Sequence, residues 1–274
     1  MQGTRKYEII MYSILAIASV CALIPFYLMV IMSSYDSNAL FTGLHLLPGD
    51  HFAINMTEVF MNAGFGRYYF NSFYIAVLCV ILTVLVSAMC GYGLSKYRFR
   101  AKKTAYNLVL LTMMLPPQLG LVAFVWEMKI IGWTDTHWPL IVPAAVNAFA
   151  VYWMRQYIIQ GVPDEIIESA RIDGCSEYGI FFRIVLSFIK PALGSQALLS
   201  FMASWNSYLL PLVLINKQNK YTVTLGLATL DAMYRMNYGA RITALLVGTI
   251  PMFLMFLIFS KSLIKGLTAG SVKG

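Results

Sequence analysis

Six runs of this chain carry no charged side chain: Ile9–Met32, Phe70–Leu94, Tyr106–Trp126, Trp138–Met154, Pro191–Ile215 and Ile242–Ser260. A helix crosses the hydrocarbon core of a bilayer with about 20 apolar residues, and roughly 17 is the lower end. Trp138–Met154 sits at that lower end, and the other runs meet the usual length. None has the polar stripe that would let a helix keep one face in water. Only 12% of the 274 residues are charged, whereas a soluble domain has about a quarter. The runs predict an all-α integral membrane protein with six transmembrane helices, bent where Pro25, Pro116, Pro117, Pro143, Pro191, Pro211 and Pro251 fall in or at the ends of spans.

The net charge of +8 is unevenly spread. With both termini in the cytoplasm, most Lys and Arg fall on the inner side, led by KYRFRAKK at 96–103. Such a bias sets orientation, and the cluster reads as a stop anchor near anionic lipid rather than a nucleic-acid patch. Ile9–Met32 follows a basic end, as a signal peptide does. It is longer than a signal core and lacks a small-residue cleavage site, so it reads as a retained first span.

One integral domain is expected, without a Gly/Ser or Pro-rich linker. Its parts are a first span and outer loop (1–69), a core of five spans (70–264) holding a polar loop at 158–190, and a tail (265–274). The outer loop at 33–69 is aromatic and turn-rich, which suits the membrane interface. A third outer loop, 216–241, contains LGLATLDAMYRM and predicts a short re-entrant or interfacial helix. Cys21, Cys79, Cys90 and Cys175 have no metal-ligand spacing and read as small buried hydrophobes. His45, His51 and His137 read as solvated loop residues.

The polar loop departs most from the rest. Asp164, Glu165, Glu168, Asp173 and Glu177 fall there, out of 12 acidic residues in the chain. Pro163 suits a first helical position, acidic residues crowd the first turns, and Gly174 suits a left-handed stop. Ile166, Ile167 and Ala170 share one side, and Glu168 is spaced to pair with Arg171. Ser176 then caps a second helix, Glu177–Ser187, that runs into the fifth span at Pro191. The pair reads as a lever on a membrane span.

No catalytic constellation is present, and no phosphate-binding glycine loop, so the chain reads as neither an enzyme nor an ATPase. Polar groups inside spans are costly and are candidates for a translocation pathway. They are Asn71, Gln118, Asn147, Gln196, Asn206 and Ser207, with Trp205 and Tyr208 beside them and Trp205–Asn206 preferred. All are uncharged, which suits a neutral polyol better than an ion.

The spacing Glu168–Ser169–Ala170, Gly174, Ile184, Leu186 resembles the EAA loop of bacterial ATP-binding-cassette importer permeases. Ser169 and Ser187 depart from that pattern, while Asp173 and Pro191 keep it. RYYFNSFYIA at 67–76, GYGLSKYRFR at 91–100, MLPPQ at 114–118, SWNSYLLPLVL at 204–214 and KGLTAGSVKG at 265–274 resemble permeases of carbohydrate importers, the tail especially the smaller, maltose-type subunit. The resemblance covers about residues 9–274. It implies a type I importer permease fold with a cytoplasmic coupling helix. Glu165, Glu168, Ser169, Ala170, Asp173, Gly174 and Ile184 would dock on an ATPase, and Gly266, Leu267, Thr268, Ala269 and Gly270 would touch it from the tail.

The same resemblance implies a multi-pass protein of the bacterial plasma (inner) membrane that moves a di- or oligosaccharide inward. Its implied partners are a second homologous permease, two ATPases carrying ATP and Mg, and an extracellular or periplasmic sugar-binding protein. This chain itself would bind no cofactor, metal or nucleic acid, and most direct sugar contacts would lie on the partner permease. A self-sufficient secondary transporter or channel for a neutral solute is the competing reading. It is weakened by spans that hold no ionisable group for ion coupling.

Overall fold

The computed structural model describes residues 2–233 and 237–269. They are helical, in the order α1 (Gln2–Met32), α2 (Phe52–Thr57), α3 (Phe65–Lys96), α4 (Lys102–Met114), α5 (Leu121–Ile130), α6 (Trp138–Ile141), α7 (Ala148–Gly161), α8 (Asp164–Ile172), α9 (Glu177–Gly179), α10 (Leu186–Phe188), α11 (Lys190–Trp205), α12 (Leu209–Leu214), α13 (Val223–Met233) and α14 (Tyr238–Ala269). A π-helical turn, Ile180–Val185, makes 177–188 continuous between α9 and α10.

Three helices are long and apolar enough to cross a membrane without a break: Tyr7–Met32, Phe65–Lys96 and Tyr238–Ser262. The other expected spans are broken, and prolines explain where. Tyr106–Trp126 is split into Lys102–Met114 and Pro117–Ile130, bent by 90°. A residue before proline is pushed out of the helical region, and MLPPQ sets two such residues in series. Leu115 and Pro116 are accordingly extended, at ψ 126° and 124°.

Trp138–Met154 is divided by a 3-10 turn, Val142–Ala145, and by non-helical Val146 and Asn147. Pro191–Ile215 ends its helix at Trp205 and resumes as α12. At the other end of α11, Ile189 separates Glu177–Phe188 from Lys190–Trp205 with an 82° bend. The expected helix Glu177–Ser187 therefore meets the following helix at a corner rather than running straight into it.

The chain divides into two compact units, Met1–Arg67 with Leu225–Ile250, and Tyr68–Thr224 with Pro251–Gly274. In the first, side chains satisfy carbonyls of the turn that follows α1. Asn55 Nδ2 donates to Ser33 O and Tyr35 O, both at 2.9 Å, and Thr243 Oγ1 donates to Ser33 O at 3.1 Å. The short helix expected in 216–241 is α13.

The second unit holds the polar loop and the broken helices. Its core joins Ala88 and Tyr92 of α3, Met154 and Ile158 of α7, Ile167 and Ala170 of α8, and Ile180, Phe181 and Val185 of the π turn. Gly91 sets the approach of α3 to α7. A β-carbon there would lie 2.8 Å from Arg155 N and 3.0 Å from Met154 Cβ.

Two loops of this unit are tied by Asp135, a non-glycine residue with positive φ (55°). Its Oδ1 accepts from Asn216 N at 2.6 Å and Lys217 N at 3.0 Å. Those amides hold its carboxyl below the usual aspartate range.

Two expectations for small polar groups are corrected. His137 is not simply solvated: it hydrogen-bonds the Tyr74 hydroxyl, and its Nε2 meets Lys220 O at 2.7 Å. Cys79 is buried as expected, but Cys21, Cys90 and Cys175 are exposed.

Candidate functional site

The polar loop folds as a capped helix followed by a turn. Pro163 is the N-cap of α8 rather than its first helical residue. At the other end Gly174 adopts φ 79°. Gly174 N donates to Arg171 O at 3.1 Å and Cys175 N to Ala170 O at 3.0 Å, the two hydrogen bonds of a Schellman stop. Ser176 begins the next helix, its Oγ accepting from Gly179 N at 3.2 Å.

The ion pairs differ from the expected pattern. Arg171 does not turn back to Glu168; its Nε donates to Glu177 Oε1 at 2.6 Å across the turn. Glu177 Oε2 accepts from the hydroxyls of Tyr97 and, at 3.1 Å, Tyr92. The Arg171 guanidinium and then the Tyr97 hydroxyl hold the Glu177 carboxyl down to about 2, and the same carboxylate raises Arg171. Six residues separate the paired charges in sequence, so helical spacing rules do not reach them.

The basic cluster at 96–103 is partly structural. Lys96 Nζ donates to Val162 O at 2.6 Å and pairs with Asp164, whose carboxyl is lowered by it. Lys102 Nζ donates to Ser95 O and Tyr97 O, both at 2.9 Å. Two lysines assigned to lipid are thus pins between the end of α3 and the surrounding backbone. A cleft of about 730 Å³ lies among these charges, lined by Lys96, Arg98, Glu168, Arg171 and Glu177.

The expected docking residues separate into two sets. Glu165, Glu168, Ser169, Asp173 and Gly174 are exposed. Ala170 is buried against the core, and Ile184 is half-buried against it. Ala170 faces inward as the i, i+3 partner of Ile167, and Ile184 packs on the same core from the π turn. Ile166 is exposed, and Ile172 is 86% exposed, an apolar tip among acidic neighbours. Its exposure depends on how far the helix turns before Gly174 stops it. Of the tail residues, Gly266, Leu267, Thr268 and Ala269 belong to the last turn of α14. Gly270 lies outside the described residues.

A second site is an uncharged cleft of about 460 Å³. It is lined by Ser72, Ile75, Cys79 and Thr83 of α3 and by Ser200, Ser204 and Ser207 in and just beyond α11. Thr83 Oγ1 donates to Ala144 O at 2.7 Å, and Cys79 Sγ to Leu140 O at 3.2 Å. These bonds satisfy carbonyls of the broken segment 138–147, the condition under which irregular backbone persists at membrane depth.

Of the pathway candidates, Asn147 lines this cleft. Trp205 does not: it is buried, stacked on Phe201 at 5.5 Å and edge-on to Tyr69 at 5.4 Å. Asn71 is also committed elsewhere, its Nδ2 donating to Asn219 O at 3.1 Å and Tyr221 O at 3.0 Å. Gln118, Asn206 and Tyr208 are exposed at helix breaks and are not among the lining residues. Ser207, a pathway candidate from the sequence, also lines the cleft. Ser72, Thr83, Ser200 and Ser204 were passed over because each is an ordinary residue in a span; the helical spacing of 72–79–83 and 200–204–207, with Cys79 between Ser72 and Thr83, is the signal that would have found them.

Residues 83–263 match the family profile of the binding-protein-dependent transport system inner membrane component. The chain belongs to this family. The arabinooligosaccharides transport system permease protein AraQ of Halalkalibacterium halodurans is 37% identical over 221 residues, 80% of this chain and 79% of that protein. The maltodextrin transport system permease protein MdxG of Bacillus subtilis is 32% identical, over 82% of this chain and 80% of that protein. The lactose transport system permease protein LacG of Rhizobium radiobacter is 29% identical over 98% and 97%.

Among solved structures, a bacterial ABC transporter involved in the import of the acidic polysaccharide alginate superposes with a TM-score of 0.82. The identity is 22%, and the match covers 95% of this chain and 98% of that one. The permease thus has the type I importer fold, with the expected proline bends sharpened to breaks of 90° and 82° in or at the end of two of the runs.

Proposed function

We propose that this permease is the smaller membrane subunit of an ATP-driven sugar importer in a bacterial plasma membrane. It pairs with a second homologous permease and receives sugar from an extracellular or periplasmic binding protein. Both termini lie in the cytoplasm, and the two bent pairs and the broken segment 138–161 complete six crossings. ATP and Mg belong to two ATPase partners. Sugar-transport relatives covering about four-fifths or more of the chain support the substrate class.

The observation that carries the coupling role is the exposed acidic face of α8 above a braced base. Glu165, Glu168, Ser169, Asp173 and Gly174 face outward, while Ile167 and Ala170 anchor the helix and Arg171 clamps its exit to Glu177. An ATPase cleft that grips this face moves α8 as a body. The motion passes through 177–188 to the corner at Ile189 and tilts α11, whose Ser200 and Ser204 line the uncharged cleft. The last turn of α14, from Gly266, makes the second contact.

Glu168→Lys in the reconstituted transporter tests this reading. The variant is expected to insert and assemble but to lose sugar uptake driven by ATP hydrolysis. Uptake coupled as in the parent rejects α8 as the coupling element.

A further inference from the structure

We propose that the uncharged cleft of this chain is a sugar-hydroxyl subsite, with Asn147 and Ser207 as its principal donors. The inference rests on the importer reading and adds a specific site to it. It also moves direct sugar contact onto this subunit rather than leaving it to the partner permease.

The cleft's size and chemistry favour a short stretch of uncharged glycan. Its volume of about 460 Å³ falls within the ~300–1,000 Å³ range of small-molecule sites. No lining residue is ionisable apart from the Cys79 thiol, which is occupied with Leu140 O. A uronate or phosphate would enter without a cation to meet it, a costly desolvation.

Its donors are set up by what their other atoms do. Asn147 Oδ1 accepts from Ala150 N at 2.9 Å and caps α7. That bond fixes the amide and leaves its NH2 without an acceptor among the described residues. Ser207 lies where the chain leaves α11, and its Oγ likewise has no partner there. Ser200 Oγ accepts from Gln196 Nε2 at 3.1 Å, which leaves the Ser200 proton to donate. Gln196 is 2% exposed, and its Oε1 has no protein partner. A buried polar atom of this kind implies water or a ligand hydroxyl near the Gln196–Ser200 pair.

The lining serines also supply acceptors, because a hydroxyl oxygen accepts as well as donates; Ser204 and Ser207 stand beside Ser200 in the lining. A sugar hydroxyl likewise does both, so a wall of amide and hydroxyls matches it.

The test uses the complete transporter in liposomes with its binding protein, offered a labelled pool of neutral arabino-, malto- and galacto-oligosaccharides. Asn147→Asp keeps the capping oxygen and removes the donor; Ser207→Ala removes the other. Each is expected to lower uptake about tenfold, the loss of one or two hydrogen bonds to cargo. Binding-protein-stimulated ATP hydrolysis is expected to persist. Unchanged uptake in both variants overturns the subsite. Joint loss of uptake and stimulated hydrolysis assigns these residues to structure and overturns it too. A parent transporter that takes up nothing from the pool rejects the sugar-importer reading, and the subsite with it.

Discussion

Arg171 and Glu177 lock the turn of the polar loop, the Nε of one donating to the Oε1 of the other at 2.6 Å. The carboxylate also holds the Tyr97 and Tyr92 hydroxyls, so one acidic group ties α8, the following helix and the end of α3 together. The coupling role proposed for α8 would need this stiffness, because a hinge at 173–176 would absorb a push before it reached α11.

The pH dependence of the clamp follows from the lowered carboxyl. Glu177 is ordinarily near 4.5 and falls to about 2 in the fold. The folded loop therefore binds fewer protons than the open one between those values. Its stabilisation is complete above about 4.5 and is lost as pH falls toward 2. An NMR titration of the labelled Glu177 carboxyl in nanodiscs is expected to show the low midpoint, and Arg171→Ala is expected to raise it. A midpoint near 4.5 in the parent counts against the clamp.

Gly174 sits at φ 79° with open space around its β-position. A β-carbon there is opposed by backbone conformation alone, at a cost of about 1–2 kcal/mol. Gly174→Ala is expected to fray the end of α8 and reduce uptake per ATP hydrolysed, with Gly174→Asn milder. Hydrogen exchange at Gly174 and Cys175, whose amides make the Schellman bonds, reads the fraying directly. Equal exchange in parent and Gly174→Ala would show that the stop does not depend on glycine.

Much of this loop was legible in the sequence, because its signals are local. Gly174, Ser176 and the inward pair Ile167–Ala170 act within a few residues, and capping and helical periodicity describe them. The Arg171–Glu177 pair was missed because it spans a non-helical turn, and the Lys96–Asp164 pair because it joins distant segments. Hydropathy found the runs, and their prolines read as kinks; neither gave bends as large as the 90° at MLPPQ and the 82° at Ile189. Trp205, preferred for the pathway beside Asn206, is buried against Phe201 and Tyr69. The cleft was assembled from small hydroxyl residues that stand out only when α3 and α11 face one another.

Close packing of α3 on α7 gives a prediction for the membrane interior. A β-carbon at Gly91 meets backbone at Arg155 N, 2.8 Å away, and backbone cannot rotate aside. Gly91→Val is expected to destabilise the detergent-solubilised transporter by about 1–3 kcal/mol, the usual cost of overpacking. A lowered thermal midpoint with α8 docking intact is the expected result. An unchanged midpoint would mean that the two helices separate freely.

Thr83 supports the broken segment 138–147 through its bond to Ala144 O at 2.7 Å. Thr83→Val keeps the shape and removes the donor, leaving a carbonyl open at a cost of about 1–3 kcal/mol. Thr83→Ser restores a hydroxyl and is expected to recover stability. The comparison of the two thermal midpoints isolates the hydrogen bond from packing, and equal midpoints would show that Ala144 O finds another donor.

Ile172 offers the cleanest separation of docking from folding. Its side chain is 86% exposed at the end of α8, beside Glu168 and Asp173 on the acidic face. A substitution at such a position changes folding stability by no more than about 0.5 kcal/mol. An ATPase cleft that takes this tip would lose apolar contact at the edge of the interface and gain a buried charge if the residue became acidic. Ile172→Glu is therefore expected to leave the thermal midpoint unchanged while the ATPase subunits fail to co-purify. Ala170→Glu, one position inside the core, is expected to do the reverse and unfold the loop before docking is reached. Retention of the ATPase by Ile172→Glu would place the contact on the Glu165–Glu168 side of the helix instead.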